Sequence, residues 1–585
     1  MQEETRICQN CRQNFAIEQE DFKFYAKIDV PPPTFCPECR RQRRLSWRND
    51  LYFYSRDCDL CKKPTISLYS SDKPFPVYCV KCWWSDAWDP FQYGREYDFS
   101  RPFFEQFNEL QIKVPHLALI NDNGVASVNC EYTQDFAFGK NCYLVMVSWK
   151  IENCLYGYFV LNSKDIVDSI NIHSNCEFLY ESINVQNSYN SIYIYNSSSL
   201  MNCAFCYDCR DSSNCFLSIG LRHKRYYIKN KPYTKTEYEK ILANYELNTH
   251  HGIEKAKKEF LTITLSYPHR FSNIKNCFNC KGDDLYNCKN SYGFNLYKAE
   301  NCKFYETGDA PKDSYDMNVG GELSECYEGL TPDHSYRGLF TVFSWKNSEV
   351  SYCIDCHSSN YLFGCIGLKK AKCCILNKQY SKESFQKLKA NIIDEMDKMP
   401  YKDNAGKEYR YGEFFPSDLS PFGYNETIAQ LDYPYTKNEA LNKNFRWQDT
   451  FQFTTGKETI SFEHIPDNIN DVSDSIINEV LACKECGRNY RVIPSELSFY
   501  RKMQLPLPRK CFYCRHANRL RIRNPYRVWY RQCQCAGTKS DNGICNNTVE
   551  HFHKSSHCPN EFETTYSPER QEIIYCEKCY LAEVA

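Results

Sequence analysis

Glycine is scarce in this 585-residue chain, 22 in all, and neither a phosphate-cradling glycine loop nor a dinucleotide fingerprint occurs. Nucleotide-dependent chemistry therefore has no recognisable loop to rest on. Long apolar runs are missing too. The best, Tyr143 to Trp149, falls far short of the roughly 18 residues that a spanning helix needs. Net charge is almost absent: 72 Lys and Arg against 73 Asp and Glu leave a formal −1, so no whole-molecule field draws the chain onto nucleic acid or a membrane. The opening Met1-Gln2-Glu3-Glu4 is acidic and polar, the reverse of a signal peptide. The expectation is a cytoplasmic protein without membrane contact, of open oligomeric state with a monomer as the default.

What is abundant is cysteine, 36 residues, together with 46 Tyr and 37 Phe; 42% of residues are apolar and 25% charged, enough to bury packed cores over three to five domains. In a reducing compartment, closely paired cysteines indicate metal binding rather than disulfides. Cys-x2-Cys pairs crowd the two ends. Cys8, Cys11, Cys36 and Cys39 form one quartet and Cys58, Cys61, Cys79 and Cys82 a second. Each can supply four thiolates to a closed, structural Zn²⁺ site. The pattern returns 475 positions later, with Cys483, Cys486, Cys511 and Cys514 for the first quartet and Cys533 for Cys58. Phe24-Tyr25 matches Phe499-Tyr500, Arg40 matches Arg515, Arg44 matches Arg519, and Arg48 matches Arg523. After Cys533 the C-terminal copy gains 22 residues before Cys558, Cys576 and Cys579 resume the course of Cys61, Cys79 and Cys82. The fourth quartet is thus Cys533, Cys558, Cys576 and Cys579, with Cys535 a rival for the first place. The insert (534–557) carries Cys545, His551, His553 and His557; a polar surface loop is expected there, a further metal being the alternative. About four Zn²⁺ per chain follow.

The first half of each module, about 6–40 and 481–515, resembles the bacterial probable zinc-ribbon domain family. The shared features are the knuckle Cys8-x2-Cys11, Phe15, Phe24-Tyr25, Lys27, Pro33 and Cys36-x2-Cys39-Arg40, repeated from Cys483 to Arg515. Arg12 stands where the family usually has Gly after the first knuckle, whereas Gly487 keeps it. The resemblance implies a small zinc-ribbon or treble-clef fold and assigns no activity. As a whole the chain resembles bacterial multi-cysteine proteins, which adds architecture only.

Between the ends, Asn-Cys pairs recur at Asn129-Cys130, Asn141-Cys142, Asn153-Cys154, Asn175-Cys176, Asn202-Cys203 and Asn214-Cys215, mostly at steps of 12 residues or twice that. Apolar residues after each Cys, such as Cys142, Leu144 and Met146, suggest short alternating strands. Units that cannot bury a face alone must stack. The expectation is a parallel β-solenoid, or β-helix, with two units (about 23 residues) per coil, stacked Asn amides at turns and Cys in a narrow interior. The segment is itself doubled: Ile219-Gly220-Leu221 realigns with Ile366-Gly367-Leu368 and Asp208 with Asp355. Polar helices at about 234–246 and 381–397 are expected to cap the copies. The predicted fold is mainly β, a duplicated solenoid flanked by zinc modules. Its parts are a tandem zinc module at 1–95, a linker at 96–126, solenoid copies at 127–250 and 251–398, an irregular linker at 399–480 with a helix at 436–443, and a second tandem zinc module at 481–585.

From Leu497 to Ser540 there is no Asp or Glu, and Arg515, Arg519, Arg521, Arg523 and Arg527 fall there, interleaved with aromatics; Arg40, Arg44 and Arg48 are their N-terminal counterparts. Guanidinium forks with aromatic faces form an RNA or single-strand DNA constellation. The alternative is that these arginines brace the thiolate sites or face acidic parts of the chain. The leading expectation is a non-enzymatic zinc-binding protein whose Arg-rich modules grip RNA, single-stranded DNA or a ribonucleoprotein. A protein–protein scaffold is the second. The third is a solenoid carbohydrate-active enzyme, for which Asp165, Asp168, Asp208 and Asp355 are the only placeable carboxylates. No Ser/His/Asp order supports catalysis, and an enzyme is disfavoured.

Overall fold

In the computed structural model, which describes residues 3–121 and 126–584, the chain is mainly β, with two large and almost wholly parallel sheets. One takes 13 strands from Val128–Glu131 to Lys231–Pro232; the other takes 11 from Ile274–Lys275 to Lys378–Gln379. In each, only the final pairing is antiparallel.

The register decides how the chain is laid down. Tyr158 pairs with Ile170, Ala204 with Phe216 and Tyr315 with Tyr327, steps of 12 residues. Steps of 11 and 13 also occur, as in Phe278 with Lys289 and Lys164 with Glu177. Hydrogen-bonded neighbours are therefore one Asn-Cys step apart, which corrects the expected spacing of about 23.

The inward periodicity is corrected as well. Left-handed backbone recurs at every third residue, as at Asn141, Leu144, Val147, Lys150 and Asn153, with φ between 50° and 56°. The residue after each is buried: Cys142, Val145, Ser148, Ile151 and Cys154. A left-handed residue turns the chain before alternation can develop, so the repeat is three residues and not two. This explains the Asn-Cys pair. Asn tolerates the left-handed conformation better than other side chains, and the small residue after it points inward. Serines serve at the same inward positions. Ser148 Oγ donates to the Met146 carbonyl at 2.9 Å and accepts from the Val160 amide at 3.0 Å. Cys154 Sγ likewise donates to the Glu152 carbonyl at 3.4 Å. Side-chain amides form ladders outside, Asn129 to Asn141 at 2.9 Å and Asn141 to Asn153 at 3.1 Å.

The chain divides into two units, Met1–Asn123 with Ile274–Phe451, and Gly124–Asn273 with Gln452–Ala585. Each cysteine-paired end thus folds with the sheet that is not its neighbour in sequence. In the first unit, Phe24 stacks on Tyr315 at 3.8 Å and Tyr25 meets Tyr327 edge-on at 5.4 Å. In the second, the matching Tyr500 and Phe499 pack on Tyr180. The helices observed near the expected caps are Lys235–Ala243 and Lys382–Lys398, and Lys437–Asn442 lies in the segment after them. Three expected boundaries differ. Segment 96–126 contains helix Phe103–Lys113, whose Phe103, Phe104, Phe107 and Leu110 are buried core, so it is no spacer. Helix His250–Ser266 runs across the expected break at 250/251. Segment 399–480 is shared between the units and changes at Phe451, with Phe414 and Phe415 fully buried before that point.

Ile172 is fully buried in the core of the 13-stranded sheet. Ile172→Ala is expected to cost about 2–5 kcal/mol in chemical denaturation; a cost near zero would contradict a packed interior.

Candidate metal centres

Three cysteine quartets are built from a turn after one strand and the start of a helix, and in the fourth the insert separates Cys533 from Cys558. Strand Glu4–Ile7 leads into Cys8 and Cys11, and Asn14–Ile17 pairs back with it antiparallel. The turn is closed by the Arg12 amide donating to the Cys8 carbonyl at 3.0 Å. Arg12 takes φ 62° there, as Lys62 does at 60° in the next module and Gly487 at 72° in the C-terminal copy. The position favours glycine for its backbone, and Arg12 occupies it in the same left-handed conformation. The second cysteine pair opens a helix, with Cys36 at the N-cap of Pro37–Leu45, Cys79 at that of Val80–Trp84 and Cys511 at that of Phe512–Ile522. A helix N-terminus favours a thiolate.

The sulfurs of Cys8, Cys11, Cys36 and Cys39 converge, as do those of Cys58, Cys61, Cys79 and Cys82, of Cys483, Cys486, Cys511 and Cys514, and of Cys533, Cys558, Cys576 and Cys579. Within every set all four lie within 4.8 Å of one another. Individual separations are 3.7 Å for Cys11–Cys36 and for Cys486–Cys511, and 3.9 Å for Cys558–Cys576. A tetrahedron with metal–sulfur legs of about 2.3 Å has edges of about 3.8 Å, so the sets have the size of a tetrathiolate site and can hold a metal ion. Among the described residues, no cysteine of the two large sheets joins such a group.

Backbone amides prepare the first sulfur of each pair. The Cys36 amide donates to Cys8 Sγ at 3.2 Å, the Cys79 amide to Cys58 Sγ at 3.2 Å and the Cys576 amide to Cys533 Sγ at 3.1 Å. Burial works to raise the Cys58 and Cys483 thiols, but the amides around them bring both down to about 7. Hydrogen bonds from Cys36 and Cys39 hold Cys8 far below an ordinary thiol, and those from Cys533 and Cys579 do the same for Cys576. Metal binding requires such deprotonated sulfur.

The insert differs from its expectation. Cys535, Cys545 and His551 are buried, and Cys535, His551, His553 and Cys579 form a fifth convergent group. Residues 534–557 are largely exposed and without regular helix or strand, as a polar surface loop would be, but their cysteines and His551 turn inward and His553 joins them, which is the arrangement of the metal alternative. The signal in the sequence was the close spacing of Cys533 with Cys535 and of His551 with His553.

The arginines expected to meet phosphate are placed differently. Arg40, Arg44 and Arg48 are each about 1% exposed, as is Arg519, and Arg515 is buried too. Arg40 Nη2 lies 2.8 Å from Asp316 Oδ2; Arg44 Nη1 lies 3.0 Å from Asp316 and 3.2 Å from Glu328. Arg43 bridges Glu328 at 2.7 Å and Glu413 at 3.0 Å, and Arg48 meets Asp50 at 2.9 Å. The second unit repeats the scheme: Arg515 and Arg519 each approach Asp168 at 2.9 Å, and Arg519 reaches Glu181 at 3.2 Å. Burial alone would weaken the Arg40 charge, yet Asp316 beside it holds the guanidinium well above its ordinary value. These five forks are occupied by carboxylates, which corrects their assignment as phosphate ligands. Of the remaining three, Arg523 is buried against the Tyr526 ring at 4.0 Å, Arg527 lies 5.4 Å from the Trp529 ring, and the Arg521 side chain is 72% exposed.

The candidate catalytic carboxylates are likewise engaged or scattered. Asp168 serves the arginines. Asp208 holds Arg222 at 2.8 Å and accepts from Tyr580, and Asp165 accepts from Asn153 at 3.2 Å. Asp355 belongs to the other unit, buried, with no hydrogen-bond partner for its Oδ1 among the described residues.

No family model, curated protein or solved structure matches this chain.

Removing one guanidinium leaves buried carboxylate charge under-compensated, because each of these clusters then has one positive charge fewer. Arg44→Ala and Arg519→Ala should each cost about 3–5 kcal/mol in urea unfolding, against less than about 0.5 kcal/mol for Arg521→Ala; equal effects at the three positions would refute the ion-pair assignment. Asp355 gives a pH test. Burial pushes its carboxyl up to about 8, above the roughly 3.9 of an unfolded Asp. The folded chain keeps a proton that the unfolded chain releases, so the contribution of this carboxyl to stability is fully present below about pH 4 and is lost as pH rises toward 8. Asp355→Asn is expected to match wild type at pH 4 and to exceed it at pH 8 in denaturation midpoint.

Proposed function

We propose that this protein is a non-enzymatic, zinc-stabilised interaction scaffold. Its two parallel sheets are read as β-solenoids, each coil having four three-residue sides, and its ends as tandem modules of the zinc-ribbon or treble-clef kind carrying four Zn²⁺. The 12-residue register and the left-handed residue at every third position support the coil. The hairpin knuckle facing a helix start, with thiols at tetrahedral spacing, supports the modules. Zinc suits four thiolates in a closed set with no open position for substrate.

The observation that carries the scaffold reading is the inward turn of the basic forks. Arg40, Arg44, Arg515 and Arg519 neutralise Asp316, Glu328, Asp168 and Glu181. These forks then fasten each module to a sheet and are closed to a polyanion, which leaves it only the surface cations such as Arg521. Long, stiff outer faces with laddered amides and exposed aromatics such as Phe278 and Tyr189 suit contact with protein surfaces.

Full-length protein titrated with single-stranded RNA and DNA is expected to bind weakly, without the steep salt dependence of multiple phosphate contacts. Submicromolar affinity that collapses with salt would restore the nucleic-acid reading. In a crosslinking pull-down, the partner proteins should survive nuclease treatment; their complete loss would sink the scaffold.

A further inference from the structure

The fourth quartet and the group formed by the insert have one sulfur in common. Cys579 belongs to Cys533, Cys558, Cys576 and Cys579, and also to Cys535, His551, His553 and Cys579. We infer that Cys579 is a bridging thiolate between two zinc ions, one held by four sulfurs and the other by two sulfurs and two imidazoles. The inference rests on the zinc reading of the fourth quartet and adds a second ion to it.

The atoms are set for this. Cys579 Sγ lies 3.7 Å from Cys558 Sγ on one side and 3.3 Å from His553 Nε2 on the other. Cys535 Sγ lies 3.0 Å from His551 Nδ1. A sulfur–nitrogen edge of a zinc tetrahedron is about 3.5 Å, so both pairs need only open slightly around an ion. Each imidazole also has its far nitrogen fixed, as zinc-bound histidines do. His551 Nε2 meets Glu583 Oε1 at 2.8 Å, and His553 Nδ1 meets the Ser556 carbonyl at 2.7 Å. Glu583 is itself pinned by the Thr548 amide at 2.9 Å and the Thr548 hydroxyl at 2.9 Å. Asn547 Nδ2 donates to Cys535 Sγ at 3.2 Å, a contact suited to thiolate sulfur. His551 and Glu583 are almost completely enclosed, with 0% and 4% of their side chains exposed.

Charge favours sharing. A lone tetrathiolate site is formally −2, whereas five thiolates around two divalent ions leave −1 within a buried cluster. Both ions have four protein ligands and no open position, so the pair is structural. It also accounts for the insert: the N-terminal counterpart has Cys58 and Cys61 joined directly, without histidines, and Cys82 belongs to one set only.

The test uses full-length protein. Metal analysis should give five zinc per chain in wild type and four in a His551→Ala/His553→Ala variant. After exchange with cadmium-113, wild type should show two resonances with mutual scalar coupling through the shared sulfur, absent in the variant. Four zinc in both proteins, with no coupled cadmium pair, overturns the bridge and leaves the quartets standing. Fewer than four in wild type overturns the zinc reading and the bridge together. If the variant does not fold, the coupling in wild type decides alone.

Discussion

Asp316 and Glu328 are buried on one large sheet and Asp168 on the other, with Glu181 half-buried beside it, and the guanidinium groups that meet them come from a cysteine-paired end of the chain. Leaving such charges buried without partners would cost more than a marginally stable fold can bear. Sheet and module are therefore obliged to fold as one unit. The matching positions in the two copies, Arg40 with Arg515 and Arg44 with Arg519, show one docking scheme used twice.

Geometry sharpens that obligation. The arginines sit on helices Pro37–Leu45 and Phe512–Ile522, each of which begins at a cysteine pair of a candidate metal site. The convergence of four sulfurs fixes where the helix starts, and hence where its guanidinium groups point. Aromatic pairs beside them, Phe24-Tyr25 and Phe499-Tyr500, supply apolar contact at the same face. Converging sulfurs, helix and ion pairs form a continuous chain of support from each module to its sheet.

The candidate metal sites were largely legible because the information is local. A Cys-x2-Cys knuckle brings two sulfurs together through one turn, and the copy at 475 residues' distance located the split fourth set. Cys535, His551 and His553 were visible as close pairs, but their convergence on Cys579 depends on how the insert folds back, which no local spacing states. The strand repeat was half legible. Asn-Cys marked the 12-residue step, while the three-residue inward pattern was obscured because serines such as Ser148 and Ser163 share the core positions with apolar residues.

Sequence alone determined the sulfur quartets, the duplication, the mainly β character and the absence of any glycine-rich phosphate loop. Each of these is set by residue type and spacing along the chain. Tertiary structure alone decided which end folds with which sheet, and so what the basic stretch is for. A run of arginines reads the same whether it faces phosphate or carboxylate. Asp168 and Asp316 lie hundreds of residues from the forks they neutralise, and nothing short of the folded chain brings them together.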